Sequence, residues 1–185
     1  MTRGRIAGAA LAALVALTAL AQAAFILRHR DALRPVAPGQ DAPPLHLLRA
    51  DGGPPLDLSA LRGRVVLLDF WATWCGACRE TMPVLQQIEE RVGGQGLEIL
   101  SVSIDDGRDA ARKVVFFARR MGLSFPIYLD DGSAAARYRV DTIPRLVLID
   151  KVGRVRRVFG GSQGLGNLAE NLGRELDELL AEPGP

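Results

Sequence analysis

The feature that most narrows what this chain can fold into is an apolar run ending in two closely spaced cysteines. The run is Val65-Val66-Leu67-Leu68-Asp69-Phe70, and Trp71-Ala72-Thr73-Trp74-Cys75-Gly76-Ala77-Cys78 follows it. Apolar residues on both phases of the alternation suit a strand buried on both faces. The cysteines are the only two in 185 residues. A bridge across so short a loop would constrain little of the unfolded chain, so the pair is no scaffold for distant elements. Two cysteines three positions apart fit within one helical turn and can switch between dithiol and disulfide, which points to thiol–disulfide exchange.

The rest of the pattern predicts an α/β fold. Apolar residues make up 48% of the chain, enough for a core without staples. Leu45-His46-Leu47-Leu48 and Leu56-Asp57-Leu58 bracket a Gly/Pro-rich turn and read as a hairpin. Helical spacing of Met82, Leu85, Ile88 and Val92 predicts a helix from the cysteines to Gly93, kinked at Pro83. Residues 97–104 read as a second buried strand, 109–121 as a helix closed by Gly122, and 127–129 as a short strand. Residues 146–149 and 152–159 flank a turn and predict two antiparallel strands. Leu165, Leu168, Leu172, Leu176 and Leu179 mark a final amphipathic helix. The alternation predicts a central mixed sheet flanked by helices.

Charge is unevenly placed. The net +2 arises because residues 1–34 carry five arginines and one acid, whereas the remainder has 18 basic and 20 acidic side chains. No basic surface points to nucleic acid. Residues 6–27 contain no charge and would span roughly 33 Å as a helix, at about 1.5 Å per residue, against a hydrocarbon core of about 30 Å. An uncleaved signal anchor fits this length. A cleaved signal peptide fits the small-x-small site Ala21-Gln22-Ala23. Residues 1–27 are therefore read as anchor or signal peptide, with the anchor preferred. Either way the domain is exported, giving a membrane-bound, extracytoplasmic location or a secreted, periplasmic one after cleavage near Ala23. Pro35 and Pro38 deny a helix its donors, so residues 28–38 read as a linker and 39–182 as the folded domain.

Residues 69–78 resemble the active-site segment of thioredoxins. The wider pattern resembles the membrane-anchored, thioredoxin-like oxidoreductases of the TlpA/ResA group. The resemblance is carried by the N-terminal apolar segment, the hairpin, Leu61-Arg62-Gly63-Arg64 before the strand, and the Cys-x-x-Cys. It continues through Tyr138, Val140 and Pro144, and through Leu148-Ile149-Asp150 with Gly153. It implies a thioredoxin-like fold with an N-terminal hairpin extension and an extra helix after the second core strand. Cys75 is then the nucleophile, at a helix N-terminus whose free N–H groups and dipole favour a thiolate. Cys78, one turn further in, is the shielded resolving thiol, and the two form the redox disulfide. Asp69 stands where thioredoxins carry a buried acid, and burial would raise its pKa into the range of a base for Cys78. Pro144 corresponds to the family's cis-proline, leaving the Ile143 backbone free to pair with an extended substrate segment. Trp74, Gly76 and Ala77 complete the substrate-binding rim, with Gly76-Ala77 in place of the Gly-Pro of thioredoxins. Trp71 reads as core packing. The glutamate that many TlpA/ResA-type proteins carry three residues after the second cysteine is replaced by Thr81, and no role is transferred to it or to Glu80.

The resemblance implies reduction of disulfides in specific exported clients, such as apocytochrome c or copper-site assembly factors, with electrons from a membrane thiol donor and no cofactor. A disulfide oxidase or isomerase uses the same residues. A peroxidase of the peroxiredoxin type would want threonine four residues before its cysteine, where Trp71 stands. A copper or zinc carrier is a further alternative, but two cysteines supply only two ligands of a tetrahedral site, so no metal is expected. Covalent haem attachment wants histidine after the second cysteine, where Arg79 stands. His29 and His46 are read as having no part in the chemistry. The run Arg154-Val155-Arg156-Arg157 reads as the solvated face of an edge strand.

Overall fold

A computed structural model describes residues 2–33, 36–160 and 167–184, which form two units, Met1–Pro35 and Val36–Pro185. The first unit is one helix, α1 (Thr2–Leu33). Its window Leu11–Arg28 has a mean hydropathy of 1.9 with none of it buried, and is long and apolar enough to cross a membrane. Residues 28–33 contain neither proline nor glycine and simply prolong α1, and Val36 is already buried in the core of the second unit.

The second unit is built on a seven-stranded mixed sheet. Its strands are β1 (His46–Arg49), β2 (Leu56–Asp57), β3 (Val65–Trp71), β4 (Leu97–Ser103), β5 (Ile127–Leu129), β6 (Arg145–Ile149) and β7 (Val155–Gly160), in the order β2-β1-β5-β4-β3-β6-β7. The pairs β3–β4 and β4–β5 are parallel, and the other neighbours are antiparallel. The helices are α2 (Gly76–Val92), α3 (Ala110–Met121), α4 (Ser133–Arg137) and α5 (Leu168–Ala181). The expected hairpin is present as β1–β2, and the extra helix after the second core strand is α3. Leu165 and Gly166, also read as part of the last helix, lie outside the described residues.

One element, the short α4, was not assigned from the sequence. Its residues, Ser133-Ala134-Ala135-Ala136-Arg137, are good helix formers but too few to show a period. Helix α2 runs through Pro83 to Val92, the extent that the apolar spacing predicted. Proline there forgoes one backbone bond in the second turn, and packing of Met82, Leu85 and Ile88 onto the sheet holds the helix together.

β3 lies at the centre of the molecule, with all seven residues buried. Alternation sends Val65, Leu67 and Trp71 to one face, under α2, α3 and α5. Val66, Leu68 and Phe70 go to the other face, where they pack with Leu45, Leu47, Leu61 and α4's neighbour Tyr138. Tyr138 Oη donates to the Pro43 carbonyl at 2.8 Å, tying the segment before β1 to this layer.

Candidate active site

The site forms where β3 ends and α2 begins. The chain leaves the sheet after Trp71, turns over Ala72–Trp74, and enters α2 with Cys75 as its N-cap. The Cys78 N–H donates to Cys75 Sγ at 3.1 Å, so the first sulfur caps the helix that carries the second. This is the contact expected to favour negative charge on Cys75, since the first turn of a helix has N–H groups with no backbone partner. The two cysteines are joined in a disulfide with their Cα atoms 5.3 Å apart. Cys75 is 8% exposed and Cys78 fully buried, so an approaching sulfur meets Cys75 first. Gly76 and Ala77 are exposed at the rim, and Trp74 is 66% exposed beside them. Trp71, by contrast, is fully buried and packs against Phe117 of α3 with the rings tilted by 38° and their centres 5.1 Å apart.

Asp69 lies two residues before Trp71 on the same face of β3, the face covered by α2. It is flanked by Ser101 on β4 and Leu146 on β6, and no part of it reaches solvent. Burial pushes its carboxyl up to about 7, and a long hydrogen bond from Ser101 Oγ, at 3.5 Å, lowers it only partly. Its Oδ1 has no hydrogen-bond partner among the described residues. The carboxyl therefore lies on the sheet face that α2 covers, shut away from solvent.

The Ile143–Pro144 peptide is cis. Pro144 precedes Arg145, which pairs with Phe70, so the proline stands at the end of the sheet from which the Ala72–Trp74 turn springs. Ile143 packs against the cluster that contains both cysteines. The structure thus brings Cys75, Cys78, Trp74, Gly76, Ala77, Ile143 and Pro144 to one end of the sheet, with Asp69 beneath. His46 is bound instead to Asp57 across the hairpin, at 2.9 Å, and the His29 side chain lies outside the described residues. Among the described residues no cluster of three or more histidines, cysteines or acids could hold a metal ion.

Sequence reasoning missed the residues that hold the turn in place. Asp105, just beyond β4, accepts from the Thr73 N–H at 2.7 Å, from Thr73 Oγ1 at 2.6 Å and from Ser103 Oγ at 2.7 Å. Arg79 reaches back from α2 to donate to the Thr73 carbonyl at 2.8 Å. The only sequence hint was an acid at the end of a buried strand, which by itself names no partner 32 residues away.

The comparisons with known proteins agree with this geometry. The AhpC/TSA family profile matches residues 38–158. The thiol-disulfide oxidoreductase ResA of Geobacillus kaustophilus is 35% identical over 123 residues, covering 66% of this chain and 67% of that one. The Bacillus subtilis ResA is 32% identical over 128 residues, 69% of each chain. Among solved structures, a Chlorobium tepidum chain provisionally described as the thiol:disulfide interchange protein DsbE superposes with a TM-score of 0.70 at 28% identity. That match covers 79% of this chain and 99% of the other. A sheet of this order closed by a Cys-x-x-Cys helix, matched by these relatives, makes the chain a member of the AhpC/TSA family with a thioredoxin-like fold, and a thiol–disulfide oxidoreductase of the ResA/DsbE type.

Proposed function

We propose that the protein is a membrane-anchored reductant of disulfides in specific exported clients. Apocytochrome c and copper-site assembly factors are the client classes that its ResA-like character suggests. Cys75 thiolate attacks a client disulfide, forming a mixed disulfide and expelling one client thiolate. Asp69, through a water, takes the proton from Cys78. The Cys78 thiolate then attacks Cys75 Sγ, expels the second client thiolate and leaves the Cys75–Cys78 disulfide. Two electrons pass to the client, and a membrane thiol donor restores the dithiol. Trp74, Gly76, Ala77 and the backbone at Ile143–Pro144 form the surface on which the client strand lies.

The observation that carries this reading is the wholly buried Asp69 on the α2 face, with its carboxyl raised to about 7. A base at that depth serves the resolving thiol and hence release of reduced client. The apolar span of α1 supports the anchor and an extracytoplasmic site of action. The test is to express the Cys78→Ala variant with Cys75 intact and identify what stays covalently attached. Recovery of exported proteins whose cysteine pair must be reduced for assembly supports the reading. A trap that holds only general secretory cargo overturns it in favour of an oxidase or isomerase. The reduction potential separates the same two cases: a value near the about −270 mV of thioredoxin marks a reductant, and one near the about −120 mV of DsbA an oxidant.

A further inference from the structure

Beside the cysteine pair, α3, the Thr73–Trp74 turn and the first turn of α2 enclose an open groove of about 670 Å³. Phe117 and Met121 line it, and both are partly buried against the core. Trp74 and Phe116 stand at its sides, 66% and 60% exposed. Three cations complete the lining, Arg79, Lys113 and Arg120, and no acid does. Lys113, Phe116, Phe117 and Arg120 recur at helical spacing, beside the stripe of Ala110, Val114 and Ala118 that is buried in the core. α3 carries four basic side chains and no acidic one. Residues 35–185 as a whole hold 18 basic and 20 acidic side chains, so the positive groove is local and opposes the overall balance.

The cations are held without carboxylates. Arg79 donates to the Thr73 carbonyl and lies 5.8 Å from the centre of the Phe117 ring, and Arg120 lies 5.8 Å from that of Phe116. None of the three forms an ion pair with an acid among the described residues. Cations over aromatic rings keep their charge available to an incoming anion while the rings offer apolar surface. Two of the few large apolar side chains that the second unit exposes, Trp74 and Phe116, lie here.

We propose that this groove docks an acidic segment of the client protein, with one large apolar side chain entering between Trp74 and Phe116 and carboxylates facing Lys113, Arg120 and Arg79. The proposal rests on the oxidoreductase reading and adds client selection to it. Because Trp74 adjoins Cys75 and Arg79 adjoins Cys78, a segment seated there brings a neighbouring disulfide to the reactive sulfur. A protein segment suits the site better than an anionic bilayer. Helices that lie on membranes project their aromatics outward from a convex face, whereas these rings line a concavity.

The test compares two disulfide-containing peptides of equal length reacting with the reduced full chain. One carries glutamates and a phenylalanine beside its cysteine; the other has lysines in place of the glutamates. The acidic peptide should react about tenfold faster, the sum expected of a few exposed charge pairs. That ratio should fall toward one in the double variant Lys113→Glu, Arg120→Glu, and in the unaltered protein as ionic strength rises. Equal rates for the two peptides overturn the groove while leaving the oxidoreductase intact, as does a preference that survives both charge reversal and salt. A preference that survives charge reversal while binding to phosphatidylglycerol vesicles is lost overturns it in favour of a membrane contact. Failure to react with either peptide removes the oxidoreductase reading itself, and the groove with it.

Discussion

At the scale of single residues, the burial of Asp69 makes stability depend on pH. Its carboxyl titrates near 3.8 when unfolded and about 7 when buried, so between these values the folded state holds a proton that the unfolded state has lost. Stability is therefore fully retained below about pH 4 and declines as pH rises through about 7. At most roughly 4 kcal/mol is at stake, from about three units at 1.36 kcal/mol each. Asp69→Asn should flatten this slope and be more stable than the parent above pH 7, as measured by urea unfolding across pH; an unchanged slope would assign the decline to other groups. The same variant should slow release of the mixed disulfide tenfold or more, on the order of what a lost base costs, while the first attack by Cys75 proceeds near its normal rate. Stopped-flow separation of the two steps checks this, and equal slowing of both would remove Asp69 from the mechanism. Alkylation of the reduced protein should label Cys75 well ahead of Cys78, since only the former retains any surface open to solvent; mass mapping that finds the reverse order would exchange their roles. The Cys75–Cys78 disulfide was legible from the spacing of the pair, and the cis bond before Pro144 from the resemblance to thioredoxin-like proteins. The burial of Asp69 was legible because the acid falls within an apolar strand. The groups around Asp105 were not, since their meeting depends on how β3 and β4 align.

At the scale of elements, the turn between β3 and α2 depends on a contact from the neighbouring strand. Asp105 satisfies the backbone and hydroxyl of Thr73 together with the hydroxyl of Ser103, and Arg79 takes the Thr73 carbonyl. Asp105→Ala leaves two hydroxyls and an N–H to find new partners, and should cost about 2–3 kcal/mol in chemical denaturation. It should also speed amide exchange at Thr73 more than at the centre of β4; uniform exchange across both would make Asp105 a general core group instead. The strands and the long helices followed from periodicity because each buries a face. α4 was hidden because five residues contain little more than one turn. α2 was legible across Pro83 because Met82, Leu85, Ile88 and Val92 keep one apolar face on both sides of the proline. α3 ended where expected because Gly122, at φ 68°, takes the left-handed conformation that closes a helix.

At the scale of the whole molecule, a hydrophobic helix and a compact catalytic unit share one chain, and the sequence showed both through its uneven charge. The boundary between them was less legible, because no residue from 28 to 33 stops a helix. The full chain should remain with membranes after washing at high salt and alkaline pH, whereas a chain shortened to residues 36–185 should be recovered in the soluble fraction. Release of the full-length protein, with a new N-terminus near Ala23, would establish cleavage instead. The margins of the seven-stranded sheet also decide how copies of this domain meet. β2, at one margin, offers only two residues for pairing. β7, at the other, carries Arg156 bound to Glu182 and Arg157 bound to Glu175. Neither margin gives a sister copy the long, uncharged template that fibrous stacking demands, so neighbouring catalytic units can collide at high local density and still separate.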